Sequence, residues 1–196
     1  MKQIYIVLTH TGTLLSRIIK SYTKDEFSHS SIALDVELKQ MYSFGRLNPY
    51  NPFVGGFVHE YIDQGTFKRF YNTRAKVYAL DVTEKQYDKI KFIISEIQNE
   101  KENYKFNRLG LVAVGLHRRV QKEHAFYCAE FVKYIIEEAG IDTKLPDVIK
   151  PEDFKKIQGL QEIYGGLLRK YSSPKINVAE LLRNNLLIYT KKEGVV

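Results

Sequence analysis

The chain has 196 residues, is 44% apolar and carries a formal net charge of +7, with a sequence pI of about 9.3. That composition supports one hydrophobic core and excludes disordered and collagen-like classes; no stretch approaches the ~18 apolar residues needed to span a bilayer. A single cysteine, Cys128, excludes an internal disulfide and the multi-cysteine zinc arrangements, and it suits a reducing compartment.

Gln3 to Thr9 reads as a strand rich in Ile, Val and Tyr. Its apolar run, Ile4 to Leu8, is too short for a signal sequence, so a cytoplasmic protein is expected. Thr11-Gly12-Thr13 breaks the strand, and Leu14, Leu15, Ile18 and Ile19 follow at helical spacing, predicting a short helix over about Thr13 to Ser21. Ser28 to Asp35 and Gln40 to Phe44 read as a strand hairpin. Gly45 to Gly56, with Pro49, Pro52 and paired glycines, reads as loop, and Phe57 to Ile62 as a short extended segment. Arg74 to Val82 is a strand. Thr83 and Gln86 form a capping-box pattern ahead of Tyr87, Ile90, Ile93, Ile94 and Ile97, predicting a helix that ends near Asn99.

Leu109 to Leu116 is an apolar run that fits helix or loop. The densest basic stretch, Arg118-Arg119 with Lys122, lacks the length and aromatic interleaving of a nucleic-acid face, so no nucleic-acid partner is expected. A helix from near Ala125 to Ala139 follows, with Gly140 as its C-terminal signal and Cys128 in its first turn. Pro151-Glu152-Asp153-Phe154 reads as a helix start, Gln161 to Tyr171 as a strand, and Val178 to Arg183 as a short helix in the tail. Strands and helices mix without regular alternation, which favours α+β. The reading is one domain over residues 1–175 with a C-terminal extension over 176–196.

Cys128 is the residue with chemistry to offer. A thiol in the first turn of a helix faces unpaired backbone N–H groups and the positive end of the helix dipole, and both favour the thiolate. The same N–H groups can hold an oxyanion. Against this stands the ordinary behaviour of a lone cysteine as a small apolar filler. A thiol nucleophile needs a base. Of the five histidines, His124 lies at or before the helix cap, His117 is in the basic stretch, and His10 and His59 lie near loops. His29 opens a strand between small residues, Ser28, Ser30 and Ser31, which leave room for a ligand.

Ser28-His29-Ser30-Ser31-Ile32-Ala33-Leu34 resembles the histidine strand of the permuted NlpC-like papain-fold proteins, and Phe126-Tyr127-Cys128-Ala129-Glu130-Phe131-Val132 resembles their cysteine helix, close to the YiiX-like branch. The histidine precedes the cysteine by 99 positions, the inverted order that marks the permuted branch, which includes the lecithin retinol acyltransferase-like enzymes. Gly12 to Ile19, Tyr104-Lys105-Phe106-Asn107 and Pro151 to Phe154 resemble further segments of the group, so the likeness spans residues 3–171. The resemblance implies a circularly permuted papain-like α+β fold, an antiparallel sheet packed on helices. It implies a Cys128 nucleophile and a His29 base, with Tyr127, Gly12, Thr13 and Ser30 lining the substrate cleft and no cofactor or metal.

The orienting third residue of that family departs from pattern. On the strand after the histidine the matching position is Ser43; the alternative is an acid such as Glu60 supplied from a loop. The function implied is a cysteine peptidase or amidase acting on a peptide or other amide. The alternatives are an acyltransferase and a non-catalytic binding module on the same fold, the latter favoured by the missing acid.

Overall fold

A computed structural model describes residues 1–12, 25–107 and 124–173, apart from the side chains of Pro52 and Phe53. The helix predicted over 13–21, with Thr13, lies outside the described residues. So do the run 109–116, His117, the basic stretch and the C-terminal extension.

The strands are β1 (Lys2–His10), β2 (His29–Ala33), β3 (Met41–Asn48), β4 (Asn51–Glu60), β5 (Arg74–Val82) and β8 (Gln161–Leu167). They form one antiparallel sheet in the order β4-β3-β2-β1-β5-β8. A second, two-stranded parallel pair joins β6 (Lys105–Phe106) to β7 (Ala125–Phe126). The helices are α1 (Gly65–Arg69), α2 (Glu84–Asn99) and α3 (Cys128–Glu138), and Pro151–Lys156 and Leu168–Lys170 form short 3-10 turns. The architecture is thus α+β with an antiparallel sheet. Among the described residues no helix is long and apolar enough to cross a membrane.

Strand alternation divides the core between the two faces of the sheet. Ile4, Ile6 and Leu8 of β1, Ile32 of β2, Phe44 of β3 and Leu80 of β5 pack with Ile90, Ile94 and Ile97 of α2 and Phe131, Val132, Ile135 and Ile136 of α3. Tyr5, Val7, Ala33, Met41 and Val77 point the other way, against Phe67 of α1 and Leu168. Burial on both faces is why β1 reads as a continuous apolar run and not a clean alternation.

The helix α2 starts as its sequence dictates: the Thr83 hydroxyl accepts from Gln86 N–H at 3.2 Å, and the Gln86 side chain accepts from Thr83 N–H at 2.9 Å. Gly140, with φ +77, ends α3 in the left-handed conformation that glycine adopts without a Cβ penalty.

The segment Gly45 to Gly56, expected to be loop, is instead the body of a long hairpin. Only Pro49 and Tyr50 turn, and Tyr50 N–H donates to the Asn48 side chain at 2.8 Å. Proline is tolerated in β4 because, among the described residues, β4 is the sheet's edge and has no outer partner strand requiring its N–H. Gly55 answers a crowding demand: a Cβ there would lie 2.8 Å from Phe106 Cγ.

Candidate active site

Cys128 is the first residue of α3, and its side chain is 5% exposed. The helix begins there because the Glu130 carboxylate accepts from Tyr127 N–H at 3.1 Å, and the same oxygen accepts from the Asn107 amide at 3.2 Å. Backbone bonds from Lys105 to His124 (2.8 Å) and from Asn107 to Phe126 (2.9 Å) tie the approach segment alongside. Phe131 N–H makes the first helical bond to the Tyr127 carbonyl, at 3.1 Å. The N–H of Cys128 therefore belongs to the set that has no intrahelical acceptor.

His29 opens β2 opposite Thr9 of β1. The ladder between β2 and β3 is registered only at Ile32↔Tyr42 and Ala33↔Met41, and toward His29 side chains replace it. The Ser43 hydroxyl donates to the Ser30 carbonyl at 2.8 Å. On the α3 side, the backbone and hydroxyl of Ser30 act on the Cys128 sulfur, and the Ser30 hydroxyl has no nitrogen or oxygen partner.

The thiol and the His29 imidazole hydrogen-bond one another. His29 Nε2 lies 2.9 Å from Glu60 Oε1, which leaves Nδ1 as the ring nitrogen for the sulfur. Ser31 Oγ donates to Glu60 Oε2 at 2.5 Å. The ring is 19% and the Glu60 side chain 9% exposed, so the imidazole keeps an opening to solvent while the carboxylate behind it does not. Gly45 lies beside the pair: a Cβ at this position would be in ordinary van der Waals contact, 3.4 Å from His29 Cε1 and 3.5 Å from Glu60 Oε1.

The charges follow from this arrangement. Burial works against a charged imidazole, but the Glu60 carboxylate and the hydrogen bond with Cys128 outweigh it and push the ring up to about 10. Burial likewise opposes the thiolate, yet the hydrogen bond and charge of His29, helped by Ser30, hold the thiol below its ordinary value. Both shifts act toward a thiolate–imidazolium pair backed by a carboxylate.

The group hydrogen-bonded to the imidazole on its Glu60 side is thus a carboxylate, and not the Ser43 hydroxyl expected in the orienting position. That hydroxyl is committed to the Ser30 carbonyl, and Glu60 arrives from the last residue of β4, not from a loop. Tyr127 is buried, with its hydroxyl donating to the Ile149 carbonyl at 2.8 Å; this fixes the entry to α3 and turns the hydroxyl toward backbone. Ser30 is buried against the thiol, while Gly12 sits two residues past β1 with φ +69.

The other described histidines are engaged elsewhere. His59 Nε2 donates to the Lys39 carbonyl at 2.7 Å and Nδ1 accepts from Tyr61 at 2.9 Å, using both nitrogens. His124, with φ +51, packs edge-on against Tyr104, and His10 faces Ser28 at 3.5 Å. Ser31 escaped the sequence reading; the signal for it was the two-residue strand period, which places it on the same side as His29. Among the described residues no cluster of His, Cys, Asp and Glu is arranged to hold a metal ion.

Compared with known family models and with curated proteins, the chain matches none.

Proposed function

We propose that this protein is a thiol-dependent hydrolase of the peptidase or amidase type, built on a circularly permuted papain-like fold. The observation that carries the reading is a cysteine at a helix N-terminus, hydrogen-bonded to a histidine whose far nitrogen is held by a buried carboxylate.

In the reaction the Cys128 thiolate attacks the carbonyl carbon of an amide. The carbonyl π electrons move to oxygen, and the Cys128 N–H is placed to meet the resulting oxyanion. The His29 imidazolium gives its proton to the leaving nitrogen as the C–N bond breaks, leaving an acyl-thioester on Cys128. Neutral His29 then takes a proton from water as it attacks the thioester, the acid departs, and the thiolate–imidazolium pair is restored. Glu60 keeps the ring in one tautomer and stabilises its charged form throughout. The binding-module alternative drew on a missing acid, and the Glu60–His29 contact of 2.9 Å removes that support.

Alkylation of Cys128 by iodoacetamide tests the reading. At pH 6 the wild-type thiol should react at least about tenfold faster than a free thiol of pKa about 8.5, and His29→Ala should remove the advantage. Labelling at the free-thiol rate, or labelling indifferent to His29→Ala, would overturn it.

A further inference from the structure

Three serines surround His29, and each has a different task. Ser28 faces His10, Ser30 faces the thiol, and Ser31 faces the carboxylate. We propose that Ser31 is a positioning residue: its hydroxyl clamps Glu60 Oε2 so that Oε1 stays on Nε2 of His29. The proposal rests on the reading of Cys128, His29 and Glu60 as a catalytic set.

Two oxygens of one carboxylate need two partners when water is excluded. Oε1 has the imidazole at 2.9 Å, and Oε2 has Ser31 at 2.5 Å. Ser31 Oγ also lies 3.4 Å from Nε2, a longer approach that marks the carboxylate as its acceptor. Ser31 is fully buried within β2, so the hydroxyl is delivered by strand backbone, while Glu60 reaches it from β4 across the position where Gly45 has no side chain. A glutamate has three rotatable side-chain bonds, and one contact alone leaves its carboxylate free to turn. Holding both oxygens fixes the line from carboxylate to imidazole and, through the ring, the direction of Nδ1 toward the sulfur. A hydrogen bond to a charged group contributes more than one between neutral groups, so its loss should be visible in the titration of the thiol two contacts away.

The experiment follows thiolate absorbance at 240 nm and the iodoacetamide rate from pH 4 to 10, with the Cys128→Ser protein as blank. Wild type, Ser31→Ala, and the shape-matched pair Ser31→Thr and Ser31→Val are compared, with thermal melts to establish that each is folded. Ser31→Ala should raise the thiol midpoint by about one pH unit, roughly a tenfold change in the thiolate equilibrium. Ser31→Thr should restore the wild-type midpoint and Ser31→Val should not, since they differ by the hydroxyl and not by shape. A wild-type midpoint near 8.5 would remove the catalytic reading, and this one with it. A depressed wild-type midpoint that Ser31→Ala leaves unchanged, or that Thr and Val shift equally, would overturn the role of Ser31 alone.

Discussion

Glu60→Gln is the sharpest perturbation of the site, because it keeps the size of the side chain and an oxygen that can accept from His29 while removing the charge. The carboxylate oxygen lies 2.9 Å from Nε2. Taking the charge centres as about 4 Å apart and an effective dielectric of about 20, the attraction is about 4 kcal/mol, equivalent to about three pH units. The ring is 19% exposed, so solvent screens part of this, and a fall of about two units is the expected result. His29 titrates at about 10 with Glu60 in place and should titrate at about 8 without its charge. The assay is the pH dependence of the His29 imidazole resonances by NMR, assigned with His29→Gln. The Cys128 thiolate should weaken in parallel, since the His29 charge and hydrogen bond hold the thiol down. A His29 midpoint that moves by less than about half a unit would refute the assignment of Glu60 as the source of the shift.

Two further outcomes are expected, one from the site and one from the core. In a Cys128→Ser background, which removes the thiol's own titration and its part of the shift, the Glu60 carboxylate should still hold His29 above its ordinary value, so the pair should stabilise the fold fully below the unfolded value of about 6.5 and progressively less as pH rises through the raised folded value. Urea midpoints of that variant, with and without His29→Gln, should converge across this interval; a constant difference would contradict it. Phe131→Ala should cost about 3–5 kcal/mol, because the ring is fully buried among Phe44 at 5.1 Å, Phe57 at 5.8 Å and Phe126 at 6.4 Å. A thermal melt should show a loss on the order of 10 °C, and a loss under about 3 °C would mean that the aromatic cluster closes over the gap.

Elements whose local signals agreed with their surroundings were legible from residues alone. The strand over Arg74–Val82 and the helix capped by Thr83 stand where their patterns put them, because the same side chains that set propensity also face the core. Cys128 falls in the first turn of α3 as expected, although the helix starts three residues later than Ala125, where β7 holds the chain extended. The hairpin from Gly45 to Gly56 was not legible. Its glycines and prolines are local loop signals, and what overrides them is tertiary: Phe106 occupies the space a side chain at Gly55 would need. Glu60 was legible only as a loop-borne alternative to Ser43, for the same reason. Once β3 continues to Asn48, β4 must run back and end at Glu60, with Glu60 registered against Met41. Sequence order alone offers no distance between residues 29 and 60.

The hydroxyl of Ser43 acts as a spacer at the mouth of a fork. Two neighbouring strands that stop pairing have two futures: they zip further, or they gape. A short donor reaching 2.8 Å across to the Ser30 carbonyl permits neither, since it takes the acceptor a zipped ladder would use and also tethers the prongs. That single bond holds the two strands together immediately beside His29, the residue that opens β2.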